Sequence, residues 1–378
     1  MRTEAELRRL TGIKWSRYGH DVLPAWVADM DLAPPDCAVA AVQALAARGD
    51  FGYNLDAAHQ LPERFCEWQR RYHRWEPAIE EVTLFNDVLH AIAVSIWLHS
   101  GPGDGIVLLT PIYPPFLKAI DGAGRRLIDV PLDPDGWRLD RQRLEAAMDD
   151  TTSVLLLCSP HNPTGRVFDD EERQAIGEVV VEHDLLLISD EVWGDLTHPG
   201  HRHNPMALVD EEVARRTITI SSASKAFNMA GLRCAVAHVG SRSLAARLDE
   251  LPPHSLGAVG SPGAEAALSC WTEGHEWLAD TRSFLTDRRD QLAKRVDEDL
   301  EGVSFQSPEA TYLAWLDFSA LGLGPEPADW LLDNAKVALS AGRDFGPGGR
   351  GYVRLNTATS PQLLDELIDR IATALGGR

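Results

Sequence analysis

The chain has few cysteines, a shortage of positive charge and no long apolar run. Its five cysteines are odd in number and far apart, without a CxxC pair, so neither a disulfide framework nor a zinc site is predicted. We expect buried thiols in a reducing cytoplasm. No apolar run approaches the length of a membrane span, and the charged N-terminus is not expected to be a secretory signal. The thirteen histidines show no HExxH spacing, so no metal role is expected.

The charge balance restricts the partners. Thirty-six Lys and Arg stand against 57 Asp and Glu, which gives a formal net charge of -21. This balance argues against a nucleic-acid or anionic-membrane partner. A small anionic ligand is still compatible with it, because such a ligand needs only a local cationic pocket.

The length and the order of apolar segments predict two domains. A chain of 378 residues exceeds what one core usually serves. From about residue 40 to 270, short apolar runs alternate with helical patterns, as in an α/β domain with a mostly parallel sheet. Later residues favour a smaller α+β domain. We expect an N-terminal segment (1–40) that joins the small domain, a large domain (41–270) and a small C-terminal domain (271–378).

Four expectations concern single segments. Pro62 is predicted to open a helix, and residues 260–295 are predicted to form one long helix. Trp97 lies in a periodic apolar segment and is predicted to be a core residue. The Gly-rich stretch 342–349 follows no predicted strand, so we expect a mobile loop and not a dinucleotide-binding turn.

Polar and aromatic residues follow four of the apolar runs. These runs have the continuous apolar form of strands buried on both faces of a sheet: 106–109, 153–158, 185–188 and 217–220. Ligands of α/β sheets bind beyond the carboxyl ends of the strands. The four ends offer an aromatic, an amide, a carboxylate and an amine, which are Tyr113, Asn162, Asp190 and Lys225.

The lysine lies in the segment SSASKAFNMAGLR (221–233). Small neighbours allow a ligand to approach closely, and their hydroxyls can donate to phosphate oxygens. A desolvated lysine, or one near other cations, has a lowered pKa and can act as a nucleophilic amine. This arrangement suits covalent attachment of pyridoxal 5′-phosphate (PLP). The alternative for Lys225 is a solvated residue of a Ser-rich loop.

The set of motifs resembles the fold type I PLP-dependent enzymes, with the aspartate aminotransferase fold, over nearly the whole chain. Within them it is most similar to the C–S lyases of the MalY/PatB type, which are cystathionine β-lyase-like. The resemblance rests on KW (14–15), PAWVADMD (24–31), YPPF (113–116) and CSPHNPTGR (158–166). It implies a large domain with a mostly parallel mixed sheet and a smaller α+β domain.

The resemblance implies roles around the cofactor. Lys225 would hold PLP covalently and later remove the substrate Cα proton. Asp190 would pair with the pyridine nitrogen, Asn162 would bond the phenolic oxygen and the substrate, and Tyr113 would stack on the ring. Trp193 stands where many aminotransferases have a tyrosine that donates to the phenolic oxygen. An indole N–H can donate but cannot transfer a proton as a phenol can.

The remaining implied roles concern the phosphate and the substrate. The phosphate-binding candidates are Val88, Leu89, Ser222, Ser224 and Arg233, the first two because they begin a predicted helix. Tyr53 resembles the tyrosine that reaches a neighbouring subunit's phosphate, which implies a homodimer. Arg354, in GYVRLN (351–356), would clamp the substrate α-carboxylate, and Ala28 would add a backbone N–H.

Most of these residues have a purely structural alternative. Asp190 and Asn162 could be cap or turn residues. Tyr113, Trp193 and Tyr53 could be packed aromatics, and Arg354 an edge-strand arginine. A charge in an apolar strand is costly unless it is paired, which favours a functional role for Arg354.

The implied activity is a PLP-dependent carbon–sulfur β-lyase that cleaves S-substituted cysteine to a thiol, pyruvate and ammonia. The alternatives are an aminotransferase that uses the same residues, or a variant that decarboxylates or oxidatively deaminates a cysteine conjugate. Gly231-Leu232-Arg233 follows the aminotransferase pattern. A regulatory role is disfavoured, because no helix-turn-helix or basic segment is present.

Overall fold

The structure is a computed structural model that describes residues 2–52, 56–252, 255–324 and 326–377. Its helices are α1 (Glu4–Leu7), α2 (Ile13–Ser16), α3 (Asp36–Arg48), α4 (Asp56–His73), α5 (Val88–His99), α6 (Pro114–Gly122), α7 (Arg141–Ala147), α8 (Asp170–Glu182), α9 (Glu211–Arg215), α10 (Ala223–Ala226), α11 (Arg242–Asp249), α12 (Ser261–Glu273), α13 (His275–Asp299), α14 (Pro327–Ala335) and α15 (Pro361–Gly376). Its strands are β1 (Leu23–Pro24), β2 (Val82–Phe85), β3 (Gly105–Thr110), β4 (Arg126–Pro131), β5 (Thr152–Cys158), β6 (Leu186–Asp190), β7 (Thr217–Ser221), β8 (Ala235–Val239), β9 (Ser304–Phe305), β10 (Leu313–Asp317), β11 (Val337–Ala338), β12 (Ser340–Ala341) and β13 (Tyr352–Asn356).

A seven-stranded sheet forms the centre of the fold, in the order β2-β8-β7-β6-β5-β3-β4. Strands β4, β3, β5, β6 and β7 are parallel, whereas β8 is antiparallel to both β7 and β2. Every residue of β3, β6, β7 and β8 is buried, as expected for strands with apolar layers on both faces. The predicted mostly parallel mixed sheet is therefore confirmed.

A second, antiparallel sheet has the order β12-β13-β10-β9. Beside it, β1 pairs in parallel with β11 and so connects the N-terminal segment to the C-terminal part of the chain. Leu7, Trp15 and Leu23 pack in one apolar cluster with residues of α13, α14 and α15. The first residues of the chain therefore complete the core around this second sheet.

Two helix predictions were wrong. Pro62 lies inside α4 and does not open it. The buried face of α4, which includes Phe65 and Trp68, outweighs the cost of one proline in the helix interior. The predicted helix over 260–295 is two helices divided at Gly274, where a Cβ would lie 2.5 Å from Cε1 of Phe227.

Trp97 is 60% exposed, so its prediction as a core residue was also wrong. It lies on α5, a helix whose apolar residues exceed those that its core-facing side can bury. Among the described residues, no helix is both long and apolar enough to cross a membrane.

Candidate active site

A cavity of about 230 Å³ lies at the carboxyl ends of β3, β5, β6 and β7. Its lining contains Ala28 and every predicted cofactor-binding residue that the structure describes. Tyr53 lies outside the described residues. Chain segments far apart in sequence meet here because the carboxyl ends of neighbouring parallel strands share one edge of the sheet.

One end of the cavity is the beginning of α5. Asp87 is its N-cap, and its Oδ1 accepts from the N–H of His90 at 2.8 Å. The amides of Val88 and Leu89 are in the first turn, where a helix provides no acceptor. The other oxygen of Asp87 holds the guanidinium of Arg233 in an ion pair. An anion placed here would meet two amides that have no acceptor among the described residues, and an arginine.

The two predicted serines differ in what they can offer to an anion. The hydroxyl of Ser222 donates to the carbonyl of Cys234 at 2.5 Å and accepts from the N–H of Ser224 at 3.1 Å. Its proton is thus already used. The hydroxyl of Ser224 has no hydrogen-bond partner among the residues described, which leaves it available to a ligand.

Asp190 is a buried carboxylate with an incomplete set of partners. Its Oδ1 accepts from the N–H of Val192 at 3.1 Å, and no described residue donates to Oδ2. Burial raises the pKa of Asp190 to about 7, although the Val192 N–H and Lys225 act in the opposite direction. This carboxylate would gain from a cationic N–H group in the cavity.

Lys225 projects from the short helix α10 that follows β7. Its Nζ donates to the carbonyl of Ala28 at 3.0 Å and lies 5.5 Å from the ring centroid of Trp193. Burial lowers the pKa of Lys225; Arg354 lowers it further, whereas Asp29 and Asp190 oppose the shift. A lowered pKa favours the neutral amine, which is the nucleophilic and basic form.

Arg354, on β13, reaches toward the same place from the second sheet. Its Nη1 donates to Oδ1 of Asn162 at 2.9 Å, and its Nη2 donates to the carbonyl of Trp26 at 3.1 Å. Its Nε is buried and has no partner within the described ranges. Burial lowers the pKa of Arg354 to about 10, so the group is a cation at neutral pH.

Asn162 is held in a rigid turn after β5. Gly165 has φ +73°, and a Cβ there would lie 2.3 Å from Cβ of Pro308, so this position requires glycine. His161 donates its N–H to the carbonyl of Arg166 at 2.8 Å and accepts from the N–H of Gly165 at 2.8 Å. Nδ2 of Asn162 has no acceptor in the described part of the chain and can donate to a ligand.

Tyr113 and Trp193 are aromatic walls of the cavity. Tyr113 is the residue before α6 and packs edge-on against Phe116; burial raises its pKa. Trp193 is 2% exposed and packs edge-on against Tyr312, at 4.9 Å between ring centroids. Trp193 thus packs in the core and also faces Lys225.

Sequence reasoning missed two supports of the site. The hydroxyl of Tyr312 donates to the carbonyl of Ala28 at 2.8 Å, the same oxygen that Lys225 contacts. Nδ2 of Asn356 donates to the carbonyls of Val27 and Asp29, both at 2.6 Å. Asn356 lies two residues after Arg354, so the strand period of two could have indicated it. Tyr312 has no comparable signal.

The Gly-rich stretch is ordered by backbone contacts, which corrects its prediction as a mobile loop. The N–H of Ile112 donates to the carbonyl of Phe345 at 2.8 Å. A Cβ on Gly342 would lie 2.0 Å from the carbonyl oxygen of Gly349, so glycine permits two backbone segments to touch. The segment places the ring of Phe345 4.9 Å from the guanidinium carbon of Arg354.

The chain matches the family model of class I and II aminotransferases over residues 27–371. It belongs to this family. It is 32% identical over 373 residues to the cystathionine β-lyase PatB of Bacillus subtilis, with 96% of each chain covered. It is 30% identical to the MalY protein of Escherichia coli, with 94% of this chain and 92% of MalY covered.

Among solved structures, cystalysin from Treponema denticola superposes with a TM-score of 0.94 at 28% identity, covering 99% of this chain and 98% of cystalysin. The cystalysin structure contains PLP. These comparisons confirm the predicted family and fold.

The residues present fit this cofactor. Oδ2 of Asp190 has no donor among the described residues, as a partner for a ring N–H requires. The free amides of α5 and the hydroxyl of Ser224 suit a phosphate, and Nδ2 of Asn162 suits a phenolic oxygen. Lys225 lies in the same cavity. Among the described residues, no group of three or more His, Cys, Asp or Glu side chains could hold a metal ion.

Proposed function

We propose that this protein is a PLP-dependent carbon–sulfur β-lyase that cleaves S-substituted cysteines. The observation that carries the proposal is the meeting of Lys225, Asp190 and Asn162 at one cavity, with Arg354 beside it. Nε of Arg354 is buried and has no partner in the described structure, so it suits a substrate carboxylate. The choice of lyase rests on relatives named cystathionine β-lyase that match nearly the whole chain.

Each residue has a defined task in the proposed reaction. Bound PLP supplies an electron-withdrawing ring that stabilises negative charge at the substrate Cα. Lys225 would hold the cofactor through Nζ and, once displaced by the substrate amine, would take the Cα proton. Asp190 would keep the ring nitrogen protonated, and Arg354 would orient Cα by binding the α-carboxylate.

The overall reaction consumes one molecule of water. The Cα–H and Cβ–S bonds of the substrate break, and the electron pair of the C–S bond leaves with sulfur, which becomes a thiol on protonation. The remaining three-carbon unit takes up water and yields pyruvate and ammonium. No oxidant or reductant is consumed.

The test uses purified, PLP-loaded protein with an S-alkyl cysteine and no keto acid. A lyase releases pyruvate and free thiol over many turnovers. Lys225→Ala should lower turnover by about 10³-fold, within the range of general-base catalysis, and should remove the visible absorption band of the lysine-bound cofactor. Lys118→Ala, an exposed lysine of α6, is the matched control. Retention of the band in Lys225→Ala would refute the assignment of this lysine.

An aminotransferase is the second candidate, and the segment Gly231-Leu232-Arg233 favours it. In that case Lys225 would return the proton to the cofactor side. Without a keto acid the same experiment would then stop after one turnover, with the cofactor converted to pyridoxamine phosphate. The single experiment therefore separates the two activities.

We also propose that the enzyme is a homodimer with shared active sites, in which Tyr53 contacts the partner's cofactor phosphate. The neighbouring Phe51 is 73% exposed and Val39 of α3 is 39% exposed, as expected for residues that a second subunit would cover. Mixing Tyr53→Ala with Lys225→Ala protein tests the arrangement. Hybrid dimers should regain activity, because one of their two sites has both residues intact. No recovery in confirmed hybrid dimers would contradict it.

Two further proposals concern organisation and location. We propose the domain limits expected above, supported by the pairing of β1 with β11 and by the shared apolar cluster of Leu7, Trp15 and α15. We propose the cytoplasm as the location, because all five cysteines are free thiols and reduced thiols are typical of that compartment.

A further inference from the structure

A cleft of about 550 Å³ continues outward from the cofactor cavity. Ala28, Tyr113 and Lys225 line both spaces, and Arg354 lines the cleft. A substrate with its carboxylate on Arg354 and its Cα near Lys225 must extend its sulfur substituent into this cleft, because PLP would fill the inner cavity. The cleft thus contacts the part of the substrate that leaves as a thiol.

Arg343 pairs with the acidic side chains around the cleft. Nη1 of Arg343 lies 2.7 Å from Asp329 and 3.6 Å from Glu326, and its Nε lies 4.0 Å from Asp344. Arg17 differs from Arg343, because its guanidinium makes no ion pair or hydrogen bond with any described residue. An unpaired arginine in a cleft of a protein with net charge -21 is a local site for an anion.

Arg17 lies on an aromatic platform. Its guanidinium carbon is 4.9 Å from the ring centroid of Trp26 and 5.8 Å from that of Tyr18, and these two rings pack edge-on at 6.0 Å. Stacking on a ring face leaves the edge N–H groups of a guanidinium free for a carboxylate. The side chain of a surface arginine is usually flexible. Attraction of the cation to the two ring faces restricts the side chain of Arg17.

The platform is fixed to the interior. The indole N–H of Trp26 donates to the carbonyl of Lys14 at 3.3 Å, and the ammonium of Lys14 forms a buried ion pair with Asp31 at 3.0 Å. The carbonyl of Trp26 accepts from Arg354. One residue therefore contacts both cations, with Arg354 at its backbone and Arg17 at its ring.

On the basis of the proposed lyase function, we infer that Arg17 is a specificity residue that binds an anionic group on the sulfur substituent. The substrate class is an S-substituted cysteine whose leaving thiol carries a carboxylate. Arg354 takes the α-carboxylate, and Trp26 and Tyr18 contact the carbon chain between the two anionic ends. A cationic substituent is disfavoured beside Arg17, because like charges repel.

Three probes of similar length test the inference on the PLP-loaded enzyme: S-(2-carboxyethyl)cysteine, S-propylcysteine and S-(2-aminoethyl)cysteine. The anionic probe should have a kcat/KM about tenfold above the neutral one, the increment expected of one charge-assisted hydrogen bond. The cationic probe should be the poorest. The preference should weaken with added salt, because the site is open to solvent.

Substitutions of Arg17 test whether this residue causes the preference for the anionic probe. Arg17→Gln should reduce kcat/KM for the anionic probe to the level of S-propylcysteine and leave the neutral probe unchanged. Arg17→Lys should retain part of the preference, because it keeps the charge without the planar fork. Arg9→Gln, an exposed arginine of the same N-terminal segment outside the cleft, should change neither value.

A binding measurement separates recognition from turnover. PLP-loaded Lys225→Ala protein should bind the anionic probe about tenfold more tightly than the neutral one, and adding Arg17→Gln should abolish the difference. Equal affinities in Lys225→Ala, or a preference that survives Arg17→Gln, would overturn the inference. If no probe releases pyruvate, the lyase function fails, while the binding comparison still decides the role of Arg17.

Discussion

Asp190 and Glu191 are adjacent in sequence and equally buried, at 4% and 5% exposure, but they are built into opposite environments. Glu191 accepts from the Ser189 hydroxyl at 2.9 Å and from the N–H of Met206 at 3.0 Å, and its Oε2 lies 2.9 Å from Nε2 of His203. Burial alone would raise the pKa of Glu191, but these partners lower it below its usual value. Asp190 has one N–H partner in the described part of the chain, and burial raises its pKa to about 7.

The difference shows that burial alone does not identify a functional carboxylate. Glu191 is satisfied by the protein itself and stabilises the turn after β6. Asp190 lines the cavity with an oxygen that no described residue satisfies, so a ligand in the cavity can become its partner. The number of hydrogen-bond partners that the protein supplies distinguishes a structural carboxylate from a ligand-binding one.

Among the tests of this comparison, the largest expected effect comes from removing the charge of Asp190. In Asp190→Asn, the ring nitrogen of the cofactor loses its anionic partner, so kcat should fall by about 10²- to 10³-fold, as for other preorganised electrostatic contacts. Steady-state release of pyruvate from PLP-saturated protein measures it. Glu191→Gln, assayed on the folded fraction, is the control and should stay within about fivefold of the parent. Equal losses in both variants would remove the functional distinction.

Replacing the planar cation of the site has a smaller effect. Arg354→Lys keeps a positive charge but loses the fork that reaches Asn162 and the substrate carboxylate. We expect KM for S-propylcysteine to rise about tenfold or more, as for a lost charge-assisted hydrogen bond. Arg350→Lys, an exposed arginine before the same strand, should leave KM unchanged. An unchanged KM in Arg354→Lys would contradict the proposed carboxylate clamp.

The raised pKa of Asp190 should be visible in the pH dependence of the unfolding free energy. Between its ordinary value of 3.8 and about 7, the folded protein holds a proton that the unfolded chain has lost. This one group therefore makes the PLP-free protein less stable as pH rises through that window, by at most about 1.4 kcal/mol per pH unit.

The difference in unfolding free energy between Asp190→Asn and the parent isolates this contribution from buried histidines such as His161, whose pKa burial lowers to about 4 and whose effect has the opposite sign. The unfolding free energy of Asp190→Asn should increase relative to that of the parent as pH rises from about 5 to 7, and the difference should stay constant above pH 7. A difference that does not change with pH would show that Asp190 titrates normally.

The smallest expected effect concerns the support of Lys225. Tyr312→Phe removes one hydrogen bond to the carbonyl of Ala28, which should lower the unfolding free energy by about 1 kcal/mol. Turnover should change by less than about threefold, since the hydroxyl of Tyr312 reaches the site only through Ala28 and the ring that packs against Trp193 is kept in Tyr312→Phe. A loss of activity comparable with that of Asp190→Asn would make the Tyr312 hydroxyl a catalytic group.

The large sheet and the strand-end residues could be predicted from sequence because both follow from local patterns. Continuous apolar runs indicate buried parallel strands, and the residues after them, such as Asn162 and Asp190, necessarily share one edge of the sheet. Arg354 could be predicted because a charge within an apolar strand requires a partner.

The misplaced features depend on contacts between distant segments. The break at Gly274 depends on Phe227, and the hydroxyl of Tyr312 contacts Ala28, which precedes it by 284 positions. Pro62 is tolerated within α4 because this helix buries an apolar face. No local pattern contains these pairings, so sequence periodicity could not predict them.

Unfolding of the PLP-free protein tests the central distinction most directly. Denaturant titrations at about pH 8 would compare Asp190→Asn, Glu191→Gln and the parent. We predict that Glu191→Gln loses about 2 kcal/mol, because a buried hydrogen-bonded charge loses its partners, whereas Asp190→Asn is as stable as the parent or more stable. If Asp190→Asn loses as much as Glu191→Gln, Asp190 is a structural carboxylate and the account of the site is wrong.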